Sequence, residues 1–145
     1  MRRQINAKPA HIKDFIAVRG LIYRLDKIHN EARPDACKEP KRLTFSAFLS
    51  CKTYIIRDSG VVVGVIMGQK IADEKDTFAI KKLIVMPEYQ HRGLASMLIK
   101  QMKLYASSLN YKRLVLTCWT FNENANKMYV SQGFKPYATK YELNI

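Results

Sequence analysis

The chain has 145 residues, enough for one domain with a substantial core. Apolar residues make up 48% of it, with eight Tyr and six Phe, which excludes a disordered polypeptide. Its 25 Lys and Arg against 12 Asp and Glu give a formal charge of +13, a field that favours anionic partners without choosing among nucleotides, phosphates, nucleic acid and acidic proteins. No apolar run approaches the ~20 residues that cross a bilayer, and no long apolar segment follows the basic start Met1-Arg2-Arg3, so the expectation is a cytoplasmic protein without membrane association. Cys37, Cys51 and Cys118 are odd in number, far apart and without zinc spacing, which fits reduced thiols and no metal.

In chain order, Gln4 to Ala7 reads as a short strand and Lys8-Pro9 as a turn. Ile12, Phe15, Ile16, Ile22 and Leu25 recur at helical spacing, predicting a helix from Ala10 to about Ile28, weakened by Gly20. Glu31 to Asp35 reads as a loop around Pro34, and Leu43 to Leu49 as a second short helix. Thr53 to Ile56 and Val61 to Met67 are β-rich on either side of Arg57-Asp58-Ser59-Gly60, which predicts a hairpin. Ala72 to Thr77 is the next turn and Phe78 to Val85 the next strand, with Lys81 and Lys82 adjacent, so that at least one faces solvent or a cleft. A helix follows from Leu94 to Ser107, then a strand from Leu114 to Trp119, and a short helix around Ala125, Met128 and Tyr129 that closes at Gln132-Gly133. Phe134 to Leu143 reads as a last strand or pair, interrupted by Pro136. No repeat or linker divides the chain, so residues 1–145 read as a single α/β (α+β) domain with a mixed, mostly antiparallel sheet.

The stretch Val85 to Ala95 organises this pattern. An apolar strand enters it, a glycine-bearing turn follows, and a helix leaves it. That layout puts unpaired backbone N–H groups at a helix start, where anions bind. Within it, Gln90-His91-Arg92-Gly93-Leu94-Ala95 resembles the acetyl-CoA signature Gln/Arg-x-x-Gly-x-Gly/Ala of the GCN5-related N-acetyltransferases (GNAT). Asn122 to Tyr129, followed by Gly133-Phe134, resembles the second signature of that family, in the same order along the chain. The two cover roughly Phe78 to Phe134.

The resemblance implies the GNAT acyl-CoA N-acyltransferase fold and acetyl-CoA as cosubstrate. It implies that the amides of Gln90, His91, Arg92, Gly93, Leu94 and Ala95 cradle the pyrophosphate, with His91 and Arg92 adding charge. Physically, Gly93 admits a phosphate close to the backbone and Ala95 is too small to block it. Leu83, Ile84 and Val85 match the family's splayed strand, whose edge holds the pantetheine arm; an N–H near Ile84 would polarise the thioester carbonyl. Asn122 matches the asparagine that helps hold the arm, and equally suits a helix cap. Tyr129 matches the tyrosine that protonates the leaving thiolate, and can also simply pack.

One position departs from the pattern. Many members carry a glutamate on this strand as the base, and here that position is Lys81, beside Lys82. An ammonium cannot serve as a base unless its pKa is strongly depressed. His29, Glu31, Glu74 and Asp76 are replacements to consider, alongside a bound water or backbone carbonyls around a neutral amine. In the resembled family the segment Leu25 to Asp35, with His29 and Glu31, shapes the acceptor site; Trp119 walls that site or packs in the core. Cys118 has no His near it in sequence, so direct transfer is the simpler mechanism.

The expectation is therefore an acetyl-CoA-dependent N-acetyltransferase acting on a primary amine of a small molecule or protein. The alternative is a CoA-binding regulatory module that has lost catalysis. No specific nucleic-acid motif is present. The net charge disfavours a polycationic acceptor, and a homodimer is expected from the family alone.

Overall fold

A computed structural model describes residues 5–33 and 42–145, apart from the side chain of His29. Five strands form one sheet in the order β1-β2-β3-β4-β5. They are β1 (Ala7–Pro9), β2 (Lys52–Asp58), β3 (Val61–Ile71), β4 (Glu74–Val85) and β5 (Arg113–Val115). The first four pair antiparallel in succession, and β5 joins β4 in parallel. Helix α1 (Phe15–Ala32) and α2 (Phe45–Ser50) precede β2, α3 (Leu94–Ser108) makes the β4-to-β5 crossover, and α4 (Glu123–Ser131) follows β5.

The central strands are buried on both faces, which explains the near-continuous apolar run of β3. On one face Ile56, Val63, Ile66, Phe78, Ile80 and Val85 pack against Leu94, Leu98 and Met102 of α3, with Met128 and Tyr129 of α4 at the margin. On the other, Ile55, Val62, Val65, Met67 and Ile84 pack against Val18, Leu21 and Ile22 of α1 and Phe48 of α2. The buried Asp14 ties α1 to the sheet: it accepts the His11 backbone N–H at 2.7 Å and pairs with Arg57 of β2.

The structure moves several boundaries. The first strand is Ala7–Pro9, with Pro9 within an edge strand rather than in a turn, a placement its missing N–H permits; Gln4 lies outside the described residues. Helix α1 starts later, after a 3-10 turn at Ile12–Asp14, and runs on through Glu31 and Ala32, which the sequence suggests as loop; Pro34 lies outside the described residues. Helix α2 begins after Thr44, whose hydroxyl accepts the Ala47 N–H at 3.1 Å. Strand β4 begins at Glu74, so the turn expected through Thr77 is confined to Ala72 and Asp73.

At the C-terminal end, β5 keeps only three residues, and residues 116–119 leave the sheet. The strand expected from Phe134 to Leu143 forms no ladder. Pro136 has no N–H to give, and the outer edge of β5 is short. The tail is fastened by side chains instead. Arg113 lies over the Tyr137 ring at 5.2 Å, and Glu142 pairs with Arg33 at 2.6 Å.

Two glycines give opposite expectations. A Cβ on Gly68, in β3, would stand 2.5 Å from the Phe78 ring and 2.8 Å from Met102 Sδ. Gly68→Ala should destabilise the fold by about 1–3 kcal/mol through overpacking. A Cβ on Gly20, in α1, would meet nothing within 4 Å, so Gly20→Ala should stabilise by about 0.5–1 kcal/mol. Denaturant unfolding of both variants reads the two signs.

Candidate active site

β4 and β5 separate, and the gap is the site. Their parallel register is Thr77↔Arg113, Phe78↔Leu114 and Ala79↔Val115, while β4 runs on to Val85. The orientation of β4 in this free stretch follows from one bond. Met86 N–H donates to Val63 O at 2.8 Å, which makes Val63 and Met86 a hydrogen-bonded antiparallel pair. Alternation then turns the N–H and C=O of Ile84 and Lys82 toward β3, and those of Leu83 and Val85 toward the gap. The expected polarising N–H near Ile84 is thus narrowed to its neighbours Leu83 and Val85. Ile84 is committed to β3 and its side chain to the α1-face core, whereas Leu83 and Val85 present backbone to the gap. Val85 O already accepts Gln90 Nε2 at 3.2 Å, so Gln90 closes the turn onto the strand.

The turn itself is wound by left-handed residues. His91 has φ 61 and Gly93 φ 79. Gly93 is the N-cap of the 15-residue α3 and makes no side-chain capping bond. A Cβ there would point into open space, with nothing within 4 Å. The start of α3 is therefore left open at Gly93, with the positive end of the helix dipole behind it. Gln90, His91, Arg92 and Gly93 are exposed, Ala95 is half-buried, and Leu94 is buried, so Leu94 contributes packing and a backbone amide rather than a side chain. The residues present fit a pyrophosphate. The turn is also braced. Tyr89 Oη donates to Asp58 Oδ2 at 2.7 Å, and Arg92 lies over the Tyr89 ring at 5.2 Å. That bond to Asp58 raises the Tyr89 pKa. Asp58, 31 positions upstream, gave no sign of this role in the sequence.

The second signature folds as a helix with both ends fixed. Asn122 Oδ1 accepts the Ala125 N–H at 3.4 Å, realising the capping reading. At the other end Gly133 takes φ 93, its N–H donates to Val130 O at 3.0 Å, and Phe134 N–H donates to Tyr129 O at 3.1 Å. These are the two bonds of a Schellman termination, and its usual apolar contact is the edge-on packing of Phe134 on Tyr129 at 5.8 Å. The Tyr-Gly-Phe spacing is thus a device that holds the Tyr129 ring. Burial, with a smaller effect of Cys118, pushes the Tyr129 pKa up to about 12. The phenol is protonated throughout the neutral range and stands near Cys118, just beyond β5. Burial raises the Cys118 thiol too, so it is not a thiolate nucleophile at neutral pH.

The replacement bases separate clearly. Glu74 lies within 3.7 Å of Arg113, and Asp76 O accepts the Lys112 N–H at 2.8 Å, so both sit at the closed end of the β4–β5 pair and do not reach the gap. Glu31 is exposed on the last turn of α1, and His29 lies on the same helix with its side chain outside the described residues. Among the described residues, a carboxylate that does approach the free stretch of β4 is Asp26 of α1, which accepts Lys82 Nζ at 2.9 Å. Sequence reasoning missed it because the pair spans 56 positions. Trp119 is exposed, stacked on Phe121 at 5.7 Å, with Arg33 over its ring at 5.6 Å, so it is a surface residue and not core. A separate cavity of about 370 Å³ lies between α1 and the β2–β3 hairpin, lined by Arg24, Arg57 and Met86 among others, and includes none of the signature residues. Among the described residues no cluster suits a metal ion, and no helix is long and apolar enough to cross a membrane.

Residues 22–134 match the model of the Acetyltransferase (GNAT) family. The chain belongs to that family, and its sheet with flanking helices is the GNAT fold. Solved structures agree on the fold at low identity. A mutant of the BH1408 protein from Bacillus halodurans superposes with a TM-score of 0.85 at 17% identity, covering 96% of this chain and 98% of that one. The aminoglycoside acetyltransferase AAC(6')-Iy, in complex with a CoA bisubstrate analogue, gives a TM-score of 0.70 at 15% identity, covering 98% and 99%. Ribosomal-protein-alanine N-acetyltransferase from Brucella melitensis biovar Abortus 2308 gives 0.70 at 14%, covering 98% and 99%. No curated protein matches the sequence significantly.

Tyr129 offers a direct check of the site's dryness. An unfolded chain ionises its tyrosines near ~10, below the value of about 12 that Tyr129 has in the fold. The stability this protonated phenol contributes is complete below pH ~10 and is lost as pH rises from there through about 12. Ultraviolet titration should show a late-ionising tyrosine component that disappears in Tyr129→Phe, and that variant should lose less stability across this interval.

Proposed function

We propose that the protein is a cytoplasmic, single-domain N-acetyltransferase that transfers acetyl directly from acetyl-CoA to a primary amine. The observation that carries this reading is the convergence, at one gap in the sheet, of an open helix-start cradle, a free strand edge and a protonated tyrosine. The pyrophosphate rests on the amides of Gln90 to Ala95, and Arg92 and His91 add positive charge. The pantetheine arm runs along β4, paired with the gap-facing backbone of Val85 and Leu83. Asn122 holds the arm from the far side. The thioester then lies toward Leu83, whose N–H faces the carbonyl and stabilises the developing oxyanion.

The acceptor nitrogen attacks the thioester carbon, forming the C–N bond. The C–S bond breaks as the tetrahedral intermediate collapses, and the thiolate is stabilised by the Tyr129 hydroxyl, which supplies its proton. The nitrogen gives up its own proton to water. No carboxylate is needed for that if the amine arrives neutral. Lys81 favours the neutral form, because a second ammonium beside it is repelled, whereas the charge of Lys82 is offset by Asp26.

Three outcomes test this reading. Tyr129→Phe should lower kcat by about 10²-fold or more with little change in KM for acetyl-CoA, since general acids contribute about 10²–10⁴-fold; unchanged turnover removes Tyr129 from the chemistry. Gly93→Asp should abolish acetyl-CoA binding in calorimetry through repulsion at the cradle, and retained affinity contradicts the phosphate site. The rate should climb with pH as the acceptor amine deprotonates, and stay high to pH ~10 because Tyr129 ionises only at about 12. A bell-shaped profile falling below that pH would contradict Tyr129 as the acid.

A further inference from the structure

We propose that the acceptor is a small amine that also carries a carboxylate or similar anionic group, and that Lys81 selects it. This rests on the transferase reading above and names its substrate class.

The cofactor elements all lie on one side of the sheet. The start of α3 and Tyr129 of α4 belong to the core layer built on Ile80, Val85 and Leu98. With that mouth of the gap taken by acetyl-CoA, the other mouth opens on the α1 face. A β-bulge decides what lines it. Lys82 stands opposite Met67 and Ile80 opposite Gly68, so Lys81 is the extra residue in β4. Ile80 packs on the α3 side, whereas Lys82 reaches α1 to pair with Asp26. Lys81 shares the Lys82 side. It lies two residues beyond Ala79, which is opposite Gln69, and Gln69 meets Cys51 of the α1-face core at 3.7 Å. The charge of Lys81 is also felt by the Cys51 thiol. A regular strand would send adjacent lysines to opposite faces; the bulge brings both to the acceptor mouth.

Among the described residues the charges there do not cancel. Asp26 neutralises Lys82, and Glu142 pairs with Arg33 beside Trp119. Lys81 is exposed and adds a further cation. Such a mouth opposes a polyamine or another polycation and attracts an amine with an attached anion. The Arg33–Glu142 bridge ties the C-terminal tail to the residue after α1, where Arg33 also covers the Trp119 ring, and a tail held there favours a small acceptor over an extended chain.

The test is acetyl transfer to matched acceptors: alanine against ethylamine, ornithine against putrescine, and an acidic peptide, with the wild type, Lys81→Glu and Lys81→Arg. The carboxylate-bearing member of each pair should be preferred by about tenfold in kcat/KM. Lys81→Glu should erase or invert that preference through the acceptor KM, and Lys81→Arg should keep it. A wild-type preference for the bare amines, a ratio indifferent to Lys81→Glu, or acetylation of the peptide alone would overturn the proposal while leaving the transferase reading intact. Silence toward every acceptor despite acetyl-CoA binding would overturn both.

Discussion

The site depends on the early end of the β4–β5 pairing. A parallel pair that continued to Val85 would consume the backbone groups of Leu83 and Val85 and leave no slot between the strands. Two features hold the strands apart. The bulge at Lys81 adds a residue and local twist to β4 just beyond its last pairing with β5. Beyond Val115 the chain turns away toward Trp119 and into the α4 cap. The slot is thus a defect in the sheet, stabilised by well-packed layers on both faces. Helix α3 supplies that packing on one face and α1 with α2 on the other, with Leu98, Met102, Ile66, Val18 and Ile22 buried in these layers.

Chemistry divides along the two edges of this slot. The β4 edge gives fixed backbone donors and leads directly into the helix start, so one continuous stretch from Leu83 to Ala95 offers both neutral and anion-seeking amides. The α4 edge gives side chains, Asn122 and Tyr129, each fixed by the hydrogen bonding of a helix terminus. Tyr129 is dry enough to remain a phenol, and its neighbour Cys118 remains a thiol. The α1 side of the sheet at this point is the reverse in character, charged, with the Lys82–Asp26 pair and the exposed Lys81.

Much of this was legible in the sequence because it is local. The strand into Val85, the glycine turn and the Leu94 helix are set by apolar run, backbone freedom and helical spacing within 30 residues, and the structure places them as read. The Tyr129-to-Phe134 spacing is likewise local, although its physical content, a Schellman end that fixes the ring, shows only in the hydrogen bonds. What escaped is long-range. Asp26 meets Lys82, Asp58 braces Tyr89, and Arg33 holds Glu142, pairs that no periodicity links. The peptide direction at Ile84 was missed for a different reason: alternation gives faces, but only the register gives which groups a neighbouring strand has already taken. The last strand was over-read, since an alternating pattern from Phe134 specifies an extended chain and not a partner for it.

The central claim is that one cofactor runs from the Gln90–Ala95 turn along the free edge of β4. Amide NMR of the protein titrated with CoA tests it residue by residue. The account predicts that the largest shifts fall on the amides of Leu83, Val85 and Gln90 to Ala95, with Ile84 and Lys82, bonded to β3, changing little. Shifts centred instead on the cavity between α1 and the β2–β3 hairpin, at Arg24 and Arg57, would contradict it.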